Sequence, residues 1–374
     1  MISSSDIQRL LQYTPNGRDI LSLFLDMSVA SDNKRTYQVF LNKEKSRFAE
    51  LESDRDRHHR EPLGEAFARI EHWLESGFDP LNKGVALFTE IGGDWFEAFQ
   101  LPIPVRNRLE IADHPVIGPL SEVLHQHPRY GIIIVDREHL RLISSQMNVI
   151  GEDYRVEPEA LPIPHDVQAG GYSHKDYQKR KAEEARQFAK DFVEEIVRCD
   201  QRVRPDHYVL LGTVENTSHF REFLPKEIAD RLIHVDATPV AQSAAEIMRH
   251  LQPVFEDYAR RNEAAALNLL HDRARQSHYA TVGLRETLVN LQEGKVERLV
   301  VARDFTTEGV QCTQCGFYLA NGDGACPYCG GPLRNGVDLI ESMIRIAANQ
   351  DVEIDFVAAD TMRGLNGIGA LLKY

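Results

Sequence analysis

Two cysteine pairs, Cys312-Thr313-Gln314-Cys315 and Cys326-Pro327-Tyr328-Cys329, constrain this chain more than any other feature. Each pair mounts two sulfurs on one tight turn. Gly316 and Gly330 follow directly and give the backbone the freedom to aim both sulfurs at one point. A Zn²⁺ ion takes four soft ligands in a tetrahedron, and two such turns supply them. The spacing predicts a Zn²⁺ site of Cys312, Cys315, Cys326 and Cys329, with two disulfides or an iron–sulfur cluster as the alternatives. Four protein ligands leave no position open for substrate. The ion is therefore expected to be structural, folding a ribbon hairpin at about 308–334 between a strand and a helix. The fifth cysteine, Cys199, reads as an ordinary residue near a helix end.

A chain of 374 residues makes two or three domains at roughly 100–200 residues each. Its apolar fraction of 42% suffices for ordinary cores. No run of 18 apolar residues is present, so no membrane-spanning helix is expected. The opening residues, Met1 to Asp6, do not read as a secretory signal. Together with paired cysteines that suit a metal, this points to a cytoplasmic protein. The net charge of −14 speaks against broad, non-specific nucleic-acid binding but leaves room for a local basic patch.

Hydrophobic patterning predicts an α/β protein of three domains, the first being α+β. In residues 1–127, helix Asp6–Tyr13, strand Ile20–Leu25 and a helical stretch over 34–75 divided by Pro62 lead to a hairpin. Its strands are Gly84–Thr89 and Trp95–Phe99, turning at 91–94. In residues 128–239, the apolar run Gly131–Asp136 reads as a buried strand with Leu140–Ser144 as its hairpin partner. A long helix over Ser173–Val197 and strands Tyr208–Gly212 and Leu232–Val235 follow. In residues 240–374, helices are expected over 241–275, Thr281–Glu293 and Gly336–Asn349, with strands over Arg298–Ala302 and Val352–Val357.

The middle segment carries a loop of interest, Gly170-Gly171-Tyr172, directly before that long helix. Ser173 and Asp176 have the spacing of a helix start. Phe188, Phe192 and Ile196 belong to its apolar stripe. Lys175, Lys179, Arg180 and Lys181 crowd the positive end of the helix dipole, where acids are normally favoured. Either this is a solvated basic face, or it is a tip built to bind phosphates. The closing Gly364, Gly367 and Gly369 have the wrong order and too little following chain for a nucleotide loop.

Taken in order, these features resemble the archaeal and eukaryotic peptide-chain release factors, among whose relatives are the Pelota-type ribosome rescue factors. The stretch Gln168 to Arg180 is similar to the family's Gly-Gly-Gln tip and basic helix. Thr281–Leu288, Val296–Val301 and the closing Gly364–Tyr374 resemble its last domain, which in archaeal members also carries a cysteine-rich insert. The resemblance covers 128–374 well and 1–125 loosely. It implies a ribosome A-site factor that promotes hydrolysis of P-site peptidyl-tRNA, with Gly170, Gly171 and Tyr172 at the catalytic tip. Lys175, Lys179, Arg180 and Lys181 would then lie on rRNA or tRNA, and a translational GTPase is a candidate partner. Two departures stand out. Tyr172 takes the place of the family's glutamine; and in residues 1–125 the nearest approach to its Asn-Ile-Lys-Ser stop-codon loop, Asn42-Lys43-Glu44-Lys45-Ser46, differs in length, while its Tyr-x-Cys-x-x-x-Phe motif is absent for want of any cysteine. A non-catalytic ribosome binder, for hibernation or stalled-ribosome recognition, is the alternative. A metal-stabilised protein-interaction module unrelated to ribosomes is the third reading, favoured by the acidic charge.

Overall fold

The computed structural model describes residues 2–29, 37–51, 57–136, 139–156, 190–237, 242–276 and 279–373, without the side chains of 49–51 and 57–60. Contacts divide the chain into two compact units: Met1–Gln126 with Arg260–Tyr374, and His127–Ala259.

The first unit contains two main sheets and a small one. Its N-terminal sheet is antiparallel, in the order Phe96–Leu101, Gly84–Glu90, Ile20–Asp26, Arg108–Ala112. Ile20–Asp26 is central and reads Ile-Leu-Ser-Leu-Phe-Leu-Asp because both its faces are covered. On one face Leu21, Leu23 and Leu25 meet Phe67 and Ile70 of helix Arg57–Ser76. On the other, Phe24 packs edge-on against Phe88 at 5.8 Å. Burying these side chains supplies ~1.5–3 kcal/mol each.

The C-terminal sheet runs Ala280–Val282, Ile368–Leu372, Val296–Ala302, Glu353–Val357. Val296–Ala302 and Glu353–Val357 are parallel, with helix Leu339–Asn349 between them in sequence. The chain's closing segment thus enters the middle of the sheet. Its glycines serve close packing: a Cβ on Gly367 would lie 2.6 Å from Phe305, and one on Gly369 2.9 Å from Leu270.

The second unit is a mixed sheet, Val149–Val156, Leu140–Gln146, Tyr130–Val135, His207–Gly212, Leu232–Asp236. The first three strands form an antiparallel meander and the last three are parallel. Helices cover both faces. Phe192, Ile196, Cys199 and Val203 of helical residues 190–203 pack with Ile133, Leu142 and Leu210 on one side. Ile247, Leu251 and Phe255 of helix Ala244–Arg275 pack on Ile132, Ile134 and Val209 on the other. Burial on two faces explains the unbroken apolar run at 132–135.

The mixed α/β fold with several sheets agrees with the sequence reading; some element boundaries do not. Pro62 lies inside helix Arg57–Ser76 instead of dividing two helices. As the sixth helical residue it forgoes one intrahelical hydrogen bond, the one its missing N–H would make to the carbonyl four residues back. Thr281 and Val282 form a strand, and the helix begins only at Leu284, because Gly283 at φ +87° breaks the run. Gly336 is the extra residue of a bulge in strand Leu333–Asp338, with φ +72°, and helix Leu339–Asn349 starts after it. Among the described residues, no helix is long and apolar enough to cross a membrane.

Candidate metal centre

A three-stranded antiparallel ribbon, Tyr318–Leu319, Glu308–Cys312, Leu333–Asp338, carries the cysteine pairs. Cys312 is the last rung of its ladder, opposite Leu333, so its sulfur starts from a fixed backbone. The two turns have matching geometry. The Gly316 N–H donates to the Cys312 carbonyl at 2.9 Å, and the Gly330 N–H to the Cys326 carbonyl at 2.8 Å. Both glycines adopt φ +77°, where a residue with a Cβ is strained by ~1–2 kcal/mol. The Thr313 N–H reaches the Pro332 carbonyl at 3.0 Å and ties one turn to the other.

The four sulfurs converge within 4.8 Å of one another. Cys312 Sγ lies 3.4 Å from Cys329 Sγ, and Cys315 Sγ lies 3.8 Å from Cys326 Sγ. A tetrahedron with metal–sulfur bonds of about 2.3 Å has edges of about 3.8 Å. A disulfide would need about 2.05 Å, and all four cysteines are free. The spacing is that of ligands around an ion, so the cysteines expected from sequence are brought together and can hold one. Cys312 and Cys326 are buried, while Cys315 and Cys329 face outward. The Cys315 N–H, above all, pulls the Cys312 thiol down from its ordinary range. The Gly331 N–H favours the Cys329 thiolate, but the sulfurs of Cys312 and Cys315 push that thiol up. Thiolates this close repel, and a dication among them is the charge that lets all four ionise.

The ribbon is fastened to the unit behind it. The Tyr318 N–H donates to Gln292 Oε1 at 2.7 Å, and Gln292 Nε2 returns a bond to the Tyr318 carbonyl at 3.0 Å. Its third strand runs without a linker into helix Leu339–Asn349, capped by Asp338, whose Oδ1 accepts from the N–H groups of Ile340 and Glu341.

Gly170, Gly171, Tyr172, Lys175, Lys179, Arg180 and Lys181 lie outside the described residues. The elements on either side of that segment are described. Edge strand Val149–Val156 precedes it and helical residues 190–203 follow it, and Tyr154, Val156, Phe192 and Ile196 share one core. Cys199 belongs to that core as well, and burial pushes its thiol up, away from nucleophilic use.

Sequence reasoning missed two buried polar groups in the first unit. The Glu341 carboxylate, 4% exposed, accepts from the Ile117 and Gly118 N–H groups, each at 2.8 Å, at the start of helix Gly118–Gln126. Burial raises this carboxyl above its ordinary value, while the Ile117 N–H and the charges of His114 and Arg345 oppose the rise. Asp355, 1% exposed, is held by Arg298 and by His125 at 3.2 Å. Burial works against its charge, but those hydrogen bonds keep the carboxyl below its usual range. Glu341 meets Ile117 across 224 residues of chain, so no local spacing could have announced the pair.

Residues 115–256 match the model of Bacterial archaeo-eukaryotic release factor family 10. Peptide chain release factor subunit 1 of Thermococcus sibiricus is 24% identical over 311 residues, 73% of either chain. That of Pyrococcus abyssi is 23% identical over 98% of this chain and 96% of its own. Among solved structures, archaeal aRF1 aligns over 100% of this chain and 99% of its own, at 17% identity and a TM-score of 0.27. Ribosome-bound archaeal Pelota aligns over 100% and 94%, at 11% identity and a TM-score of 0.40.

Proposed function

We propose a function from one premise: the chain belongs to the archaeal/eukaryotic-type release factor family, and the matched family model spans its glycine loop. The protein is a translation factor acting in termination or ribosome rescue. It enters the ribosomal A site and presents Gly170-Gly171-Tyr172 to the ester linking peptide to P-site tRNA. Water adds across that ester, leaving the peptide as a carboxylic acid and the tRNA with its free hydroxyl. Backbone N–H groups of the two glycines stabilise the developing oxyanion, a role that needs no particular side chain and so tolerates tyrosine at 172. Lys175, Lys179, Arg180 and Lys181 hold rRNA and tRNA phosphates.

The observation that carries this reading is the family match over 115–256, which brackets the loop and its basic stretch. The charge distribution supports it. In the described units many arginines are committed to carboxylates, as Arg141 is to Asp153, Arg202 to Glu152, Arg231 to Asp200 and Arg298 to Asp355. Phosphate affinity is therefore assigned to the cluster at 175–181, which reconciles RNA binding with a net charge of −14. The four-cysteine site holds Zn²⁺, a structural ion that neutralises the thiolates and folds the ribbon. A cytoplasmic location follows from the same reading. Delivery by a translational GTPase belongs to it too, on resemblance alone.

Ribosomes carrying labelled peptidyl-tRNA in the P site test the chemistry. The wild type is expected to release peptide, and Gly171→Ala to release less. No release by the wild type, with release gained by Tyr172→Gln, would replace this reading by a non-catalytic ribosome-binding factor, which the ring of Tyr172 favours.

A further inference from the structure

We propose that the cysteine ribbon is a metal-dependent strut that locks the N-terminal part of the first unit onto its C-terminal part. This rests on the metal site and not on the ribosomal reading. The observation behind it is the course of strand Leu333–Asp338. At one end Leu333 is paired with the ligand Cys312, and at the other Asp338 caps helix Leu339–Asn349. From this course the strand sends two charges, Arg334 and Asp338, to the N-terminal segment. Arg334 Nη1 binds Asp113 Oδ2 at 2.8 Å, steadied by Arg334 Nη2 on Gln311 Oε1 at 2.7 Å. Asp338 Oδ2 takes Arg108 Nη2 at 3.2 Å, and Arg108 lies on the edge strand of the N-terminal sheet.

One turn farther on, the same helix completes the grip. Glu341 caps the N–H groups of Ile117 and Gly118, and Arg345 Nη1 donates to the Pro115 carbonyl at 2.9 Å. Gly118 is fitted to this contact: a Cβ there would stand 2.8 Å from Glu341 Oε2. The ribbon, the strand and the helix are one continuous piece of chain from 308 to 349, broken only by the bulge at Gly336. An ion on the four sulfurs fixes the register of Glu308–Cys312 against Leu333–Asp338. That register sets where Arg334 and Asp338 stand. Without the ion the ladder loses its closed end, both ion pairs lose their placement, and the residue 108–118 segment is held to the C-terminal part by the helix alone.

The test is hydrogen–deuterium exchange on the full chain, read in peptides covering 108–126 and 308–338, after metal analysis of the purified protein. Removing the ion with a chelator is expected to raise exchange at Ile117 and Gly118 roughly 2- to 30-fold, the range for two half-exposed ion pairs, and added Zn²⁺ should reverse it. With the ion bound, Asp113→Arg and Arg334→Asp should each raise exchange in 108–126 while the ribbon stays protected, and the double exchange should restore it. Faster exchange in 308–338 alone after chelation overturns the proposal. So do single charge reversals without effect on 108–126, and a purified chain that takes up no ion.

Discussion

Glu341→Ala isolates the buried carboxylate that joins the two halves of the first unit. The substitution leaves the N–H groups of Ile117 and Gly118 without their acceptor in a buried place. Each orphaned donor costs ~1–3 kcal/mol, so the pair costs roughly 2–6 kcal/mol. Relief of the carboxylate's own desolvation lowers the net to about 1–4 kcal/mol at neutral pH. Both tryptophans of the chain, Trp73 and Trp95, lie in the first unit, so their fluorescence during urea unfolding reports that unit by itself. Glu341→Gln is the companion variant: it keeps one acceptor and turns an amide donor toward the second N–H, and about half the loss is expected. The pH dependence has a definite sign. The folded carboxyl is raised above its ordinary 4.5, so the pH-dependent part of the stability, the part that comes from this shift, is fully present below that value and is lost as pH rises through the folded value, while the hydrogen bonds to Ile117 and Gly118 remain. Glu341→Gln should flatten this slope. An unfolding free energy for Glu341→Ala within about 0.5 kcal/mol of wild type would refute the reasoning, because surface residues behave that way.

Cys326→Ser should abolish stoichiometric metal uptake, checked by elemental analysis, and should unprotect the ribbon while leaving the second unit's near-ultraviolet circular dichroism unchanged. Gly283→Ala should cost ~1–2 kcal/mol: φ is +87° and the nearest atoms to a new Cβ are 3.8 Å away, so the cost is backbone strain and not a clash. Thermal unfolding measures it. Tyr208→Phe removes the hydroxyl that donates to Asp200 at 2.9 Å and should cost about 1 kcal/mol, read from denaturation of the second unit.

The four-cysteine cluster was legible because its members fall within 18 residues and only their identity and spacing matter. The central strands were legible because burial on both faces imposes unbroken apolar runs, as at Ile132–Ile134. Strand Val149–Val156 was not. It sits at a sheet edge, is exposed at alternate residues, and reads Val-Ile-Gly-Glu-Asp-Tyr-Arg-Val, a charged stretch stabilised by pairing with Leu140–Gln146. Helix Val214–Arg221 also escaped notice: Thr213 caps it, but it buries only Thr217 and Phe220. The closing glycines were rejected as a nucleotide loop, but Ile368–Leu372 was not read as a strand: Gly367 just before it and Gly369 within it answer to Phe305 and Leu270, which only the tertiary fold brings near. The tip at 170–172 was singled out by sequence; it lies outside the described residues and within the span that the family model matches.

Sedimentation of the purified chain with ribosomes through a sucrose cushion asks directly whether the protein binds them. A translation factor of this kind is expected to pellet with ribosomes and to be released by added salt, and Lys179→Glu with Arg180→Glu is expected to stay in the supernatant although folded. A wild-type chain that remains in the supernatant even at low salt would contradict this expectation.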